Sequence, residues 1–576
     1  MPLLQVYERC RLPELDMRDA FLLVVVAGAL VTHLIYKKYE VQPSSYFPTF
    51  LLLGLIPYLC CSFLVHHFSP PVIAYVLGFS TFYVSLLSSI ACYRLSPWHP
   101  LAKYPGPVLA KLTKFWVVYR FYNGDYLPNI IAAHEKYGDV VRMGPNELSF
   151  VNADLVPQLL APDMPKGPSW DGRRNPDLPA SVIVTRSSKE HAQKRVFWSH
   201  AFSTTSVRDM QPTITRRVLQ LAEELEKRAK AKQTVNITEW MSFFAFDFMG
   251  DMAFGGGFEL MRDGDTRGLW KMMDERVQGM AWQMHIPWAT RMFLKLPSKV
   301  EAFRKFTIEC ALQRMKNGSS VKDLFYHLHN EANTVKRSLS LEELVVSGET
   351  AIVAGSDTTS TTMTGIWYFL LSHPECYERL QKEVDATFPP GEGDALDPVR
   401  LAEMKYLNAV INEGLRLQPA ISTFLHRAPE QGSGGKWIGG HFISEGTAVN
   451  VPPYLLHRDP RYFSPNPESF WPDRWLQDES TTSYTNNSTG GKEVKEERRE
   501  KVFTDTAAFV PFSAGNRNCV GKNLAVTEMR AVIALLVQRF EMRFADGYDP
   551  RKFKESVMDL FITKVGELPV RLTPRT

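Results

Sequence analysis

Phe512-Ser513-Ala514-Gly515-Asn516-Arg517-Asn518-Cys519-Val520-Gly521 is the stretch on which the reading of this chain turns. It is a glycine-bracketed loop that delivers one cysteine just ahead of a helical run, Leu524 to Phe540. Glycines at 515 and 521 let the backbone turn tightly and approach a flat cofactor. Arg517 supplies a cation, and the amide donors at the start of the following helix stabilise a negative sulfur. A lone cysteine in an arbitrary setting is more often a small buried hydrophobe; this setting argues instead for a presented thiolate.

The pattern Phe-x-x-Gly-x-Arg-x-Cys-x-Gly is matched in full and resembles the haem-ligand loop of the cytochromes P450, the haem-thiolate monooxygenases. The resemblance implies haem b (iron protoporphyrin IX) with Cys519 as the axial ligand of its iron, seated among Phe512, Gly515 and Arg517. Upstream, Glu413-Gly414-Leu415-Arg416 is Glu-x-x-Arg in a helical stretch, and the i,i+3 spacing puts both side chains on one face. Phe470-Trp471-Pro472-Asp473-Arg474-Trp475 resembles the family's Pro-Glu-Arg-Phe element, with Asp473 and Trp475 as departures. The resemblance implies a buried triad of Glu413, Arg416 and Arg474, structural rather than catalytic.

Further upstream, Ala354-Gly355-Ser356-Asp357-Thr358-Thr359 interrupts a long apolar helix with locally poor helix formers, which invites a kink. On residue types alone it is equally a run of back-bonded hydroxyls beside one solvated acid. By resemblance it crosses the distal face of the haem, where Asp357 and Thr358 would relay protons to dioxygen. His191-Ala192-Gln193-Lys194-Arg195 has the spacing of the family's Trp-x-x-x-Arg with His in place of Trp. It implies His191 and Arg195 as propionate ligands, together with Arg427 and Arg517, a natural use of a guanidinium fork.

The rest of the chain fits one large, mainly α domain with minor β. Helical periodicity dominates from Thr213 to Lys230 and Glu342 to Leu371, and strand-like runs appear only at 140–143, 148–151 and 448–451. Lys and Arg number 66 against 62 Asp and Glu, a dispersed net charge of +4 that points away from nucleic acid. Seven cysteines without a CxxC pair argue against a disulfide framework or zinc cluster. The segment 477–501, rich in Ser, Thr, Asn and charge, reads as a solvated surface insertion.

Apolar stretches at 20–36, 46–65 and 71–93 each approach the ~20 residues needed to cross a bilayer. Residues 1–98 are therefore expected to be a membrane anchor of three transmembrane helices, 99–107 a Pro-rich hinge, and 108–576 the catalytic haem domain. Lys37, Lys38, Arg94, Lys103, Lys111 and Lys114 favour a cytoplasmic catalytic domain, against Arg9, Arg11 and Arg18. The expected protein is a multi-pass monooxygenase of the endoplasmic reticulum. It would hydroxylate or epoxidise a lipophilic small molecule (terpenoid, steroid, fatty acid or polycyclic aromatic) with O2. Its electrons would come from a separate membrane-bound NADPH reductase. A haem-thiolate isomerase or dehydratase, or a non-catalytic haem-binding protein, is the alternative.

Overall fold

A computed structural model describes residues 17–39, 46–62, 65, 70–290, 292, 300–318, 321–331, 333, 337–389, 391–476 and 502–575. The insertion expected at 477–501 lies outside the described residues.

Three N-terminal helical stretches pack on one another: α1 (Met17–Lys38), a short run ending in α2 (Ile56–Ser62), and α3 (Pro71–Leu95). Val25, Ala29, Cys61, Phe82 and Leu86 form their shared interior, with a His33 to Ser89 hydrogen bond of 2.7 Å inside it. Leu23, Val31, Leu34, Val72, Val76, Val84 and Leu87 point outwards. Among the described residues one helix, Pro71–Leu95, is both long and apolar enough to cross a membrane.

The joint that follows is a series of turns pinned by one buried guanidinium. Arg142 lies on β1 (Val140–Gly144) and is 1% exposed. It donates to Arg94 O at the end of α3 (3.0 Å) and to Pro145 O (2.9 Å). Leu101 and Tyr104 are buried beneath.

β1 pairs antiparallel with β2 (Glu147–Phe150), which pairs parallel with β3 (Ala448–Asn450). These are the three strands read from the sequence. A bridge continues the sheet from Val449 to Arg427 and on to Lys166, so the sheet edge carries two basic side chains.

The helical body is built from α4 (Ser188–Ala201), α5 (Ile237–Phe254), α6 (Val300–Asn317), α7 (Leu341–Ser372), α8 (Lys405–Leu417) and α9 (Lys522–Arg539), with α5 packed along α7 at its core. α5 is apolar almost all round and is buried on every side, as such a helix must be. α7 begins in a capping box: Glu343 N donates to Ser340 Oγ and Ser340 N to Glu343 Oε2. It ends at Ser372, with His373 as its cap and Pro374 next, which cannot extend it. Across its 32 residues α7 is helical without interruption, so the expected kink does not break its ladder. Gly355 serves another purpose: a Cβ there would lie 2.5 Å from Met249 Sδ, and the missing side chain lets α5 and α7 approach closely.

Candidate active site

The loop before α9 is set by three local devices. Gly515 has φ +72°, and a Cβ on it would strike Leu160 O at 2.3 Å, so only glycine fits. Cys519 N donates to Phe512 O (2.8 Å), closing the loop. Arg195 of α4 clamps Asn518, with Nη1 to the backbone O and Nη2 to Oδ1, both 2.8 Å. Cys519 is left on the wall of a cavity of about 400 Å³. Burial pushes its thiol up, while the amides of Gly521 and Lys522 and the Arg195 charge work the other way.

α7 forms another part of that wall with Ala354, Gly355, Thr358, Thr359 and Thr362. Thr358 Oγ1 donates to Ala354 O (2.6 Å), and Thr362 Oγ1 in turn donates to Thr358 O (2.9 Å). Asp357 is not among the lining residues. It is affected instead by Asp274 and Lys564, which pair with each other at 2.8 Å. Burial first, and Asp274 second, raise the Asp357 carboxyl to about 7. The two residues expected to act together are thus adjacent in sequence but face different surroundings.

Three of the four expected propionate ligands meet on the cavity wall with one further base, whereas Arg427 is not among the lining residues and is bridged to Lys166. His191, Arg195 and Arg517 line the cavity, as does Lys166, which the sequence reading missed. Arg517 donates to Thr185 O (2.7 Å) and Arg186 O (2.9 Å). Arg427 is 1% exposed, and none of its three side-chain nitrogens has a hydrogen-bond partner among the described residues. Burial, then Arg517, pulls it down to about 9. Burial, then Arg517 and Arg195, takes His191 down to about 3. Lys166 sits over the Trp170 ring at 3.7 Å and is held well below the lysine range by burial, Arg427 and Arg517. A buried group of bases that repel one another, one with every donor free, is short of anionic charge. A flat group bearing two carboxylates and needing a thiolate fits this end of the cavity. No motif marked Lys166; its place comes from the bridge to Arg427 across 261 positions of sequence, shown as Lys166 pairing Arg427.

The remaining lining includes Val346, Thr350, Ala351, Ile421, Phe424, Leu425 and Phe561. Leu560, next to Phe561, packs against the Val117 and Phe121 cluster. Charged lining residues outside the expected set include Arg304 and Glu349.

Away from the cavity, Glu413 is wholly buried and receives five donors. Arg416 Nε and Nη2 reach its two oxygens at 2.8 Å each. Arg474 Nε adds 3.0 Å, Trp475 Nε1 2.9 Å and Trp471 N 2.9 Å. The departure at Trp475 therefore adds a bond to the network, and Asp473 forms a separate pair with Arg379 at 2.5 Å. Burial would raise the Glu413 carboxyl, but the Arg416 fork and Arg474 hold it below the usual range.

A model of the family described as Cytochrome P450 matches residues 107–568. The chain is similar to Cytochrome P450 67 of Uromyces fabae, 32% identical over 84% of this chain and 88% of that protein. It is 31% identical to Cytochrome P450 monooxygenase cpaH of Aspergillus oryzae, over 84% of this chain and 91% of that one. Similarity to Tryprostatin B 6-hydroxylase of Aspergillus fumigatus is 29%, over 86% and 84%.

Proposed function

The chain belongs to the cytochrome P450 family, and on that premise we propose that it is a membrane-bound monooxygenase that hydroxylates or epoxidises an apolar small molecule. It is an oxidoreductase whose family uses a haem iron, O2, a small-molecule substrate and a redox partner. The partner proposed is a separate membrane-bound NADPH reductase. The observation that carries this reading is the meeting of Cys519 with Lys166, His191, Arg195 and Arg517 on the cavity wall, beside Arg427, which is bridged to Lys166 and whose side chain has no hydrogen-bond partner among the described residues.

In this reading Cys519 ligates the iron, and Arg195, His191, Arg427, Arg517 and Lys166 hold the propionates. The bound haem supplies oxygen activation, favoured by electron release from a thiolate. The protein's own task is to hold the substrate, exclude water and deliver protons. Thr358 Oγ1 is the delivering hydroxyl on the cavity wall, and Asp357, protonated below about pH 7, is the reservoir beside it. A hydroxyl at this point of the wall supports oxygenation over rearrangement, which needs no proton relay. The relative named as a 6-hydroxylase supports hydroxylation in particular.

The lining supports a lipophilic substrate among the terpenoid, steroid, fatty acid and polycyclic aromatic classes. The proposed setting is the endoplasmic reticulum, with the three N-terminal helices as a multi-pass anchor and the catalytic domain on the cytoplasmic side. The outward apolar side chains of α1 and α3 support that anchor. Spectral titration against a lipophilic library, followed by turnover with reductase, tests the reaction. Product formation should require both NADPH and O2; turnover that persists without either would favour the isomerase or dehydratase reading.

A further inference from the structure

Arg304 of α6 and Glu349 of α7 meet at the cavity wall. Glu349 is fixed by α6, since Thr307 Oγ1 donates to its Oε1 at 2.8 Å. Its other oxygen lies 3.5 Å from Arg304 Nη1, beyond the usual N–H···O range. Arg304 donates no hydrogen bond to any described residue, although its side chain is only 21% exposed and that of Glu349 11%. Burying two opposite charges is costly unless their geometry is good and their remaining donors and lone pairs are met. Here the geometry is loose, and a fork of five N–H groups is left open beside a carboxylate.

We propose that Arg304 and Glu349 are specificity-determining residues that bind a carboxamide or lactam group of the substrate, an inference that rests on the monooxygenase reading above. The guanidinium donates to the amide C=O and the Glu349 carboxylate accepts from the adjacent N–H. The pairing selects this group over others of similar size. A carboxylate would be repelled by Glu349, a free ammonium by Arg304, and a hydrocarbon would offer neither a partner beyond their loose pair. Residues 349 and 358 stand about 13 Å apart along a helix that rises 1.5 Å per residue. The polar group is thus held at one end of the cavity and the reacting carbon at the other, with apolar wall between them.

The test uses the full-length, haem-loaded protein and the ligand-induced shift of its haem absorption. The probes are dodecanamide and N,N-dimethyldodecanamide, which keeps the carbonyl and lacks the N–H. The wild type should bind dodecanamide about tenfold or more tightly than the dimethyl compound, as a site built to meet an N–H rejects the analogue without one. In Glu349→Gln the Thr307 bond is retained and the preference should fall to about twofold or less. Arg304→Met should weaken dodecanamide binding while leaving haem content unchanged. Equal binding of the two probes by the wild type, or an undiminished preference in Glu349→Gln, overturns the inference. If Glu349→Gln fails to accumulate, the wild-type ratio and Arg304→Met decide. Failure of the wild type to load haem would contradict the proposed function itself, whereas a loaded protein indifferent to the N–H overturns only the role of this pair.

Discussion

Glu413→Gln is a change of one atom in a side chain that is fully buried, and its cost follows from what surrounds it. Arg416 and Arg474, both at 0% side-chain exposure, pair with this single carboxylate. Glutamine keeps one acceptor, turns the other into a donor aimed at donors, and leaves two cations without a counter-charge. Removing one partner of a buried ionic group costs about 3–5 kcal/mol, a large share of the ~5–15 kcal/mol that holds a domain folded. The midpoint shift is nevertheless modest. At about 2.1 cal/mol/K per residue, a unit of roughly 460 residues has an unfolding entropy near 1 kcal/mol/K, so Tm should fall by only about 3–5 °C. Urea unfolding of the haem-loaded protein, followed by tryptophan fluorescence, reads the free energy directly as a lower midpoint at unchanged slope. The pH dependence has a fixed sign. The Glu413 carboxyl is held below its usual range, so its contribution is present above the unfolded pKa and disappears as pH falls through the folded one. The variant should lack that part of the acid limb. A loss under about 1 kcal/mol, the value of an exposed ion pair, would refute the assignment of these residues as a buried network.

Thr358→Ala should keep haem content and the thiolate spectrum while product per NADPH falls by about tenfold or more, within the range of general acid–base contributions; peroxide should rise in its place. Equal coupling in mutant and parent would leave Thr358 as a back-bonded helix residue. With Asp357 at about 7, its protonated, proton-donating form is lost as pH rises through that value, so coupling should decline across the same window. Asp357→Asn should flatten the profile at a low level, and an unchanged profile would remove Asp357 from the relay. Arg427→Met should lower haem retention during gel filtration without a matching fall in folding stability, since its guanidinium has no hydrogen-bond partner among the described residues; full retention would contradict its role as a propionate ligand.

Contiguous chemistry was legible in the sequence. The Cys519 loop, the Glu413–Arg416 pair and the Thr358 hydroxyl are each written within a few residues, because local backbone geometry and helix spacing suffice to place them. Arg474 needed the resemblance, and the structure adds its bond to Glu413 together with that of Trp475. What was not legible depends on contacts between distant elements. Lys166 reaches the basic end only through its bridge to Arg427, and Arg304 meets Glu349 only because α6 crosses α7. Gly355 read as a weak point in a helix, whereas its effect is to admit Met249; propensity describes the helix alone and says nothing of what packs against it. Asp357 and Thr358, neighbours in sequence, are about 100° apart around a helix of 3.6 residues per turn, which is why only one of them lines the cavity.

The central claim is that Cys519 presents a thiolate to a haem iron, and the reduced carbonyl spectrum of the protein tests it most directly. The wild type should show the long-wavelength Soret band of a thiolate-ligated carbonyl complex. Cys519→Ala should lose that band, while Cys310→Ala and Cys376→Ala, which alter cysteines that do not line the cavity, should keep it. Retention of the band by Cys519→Ala would contradict the account.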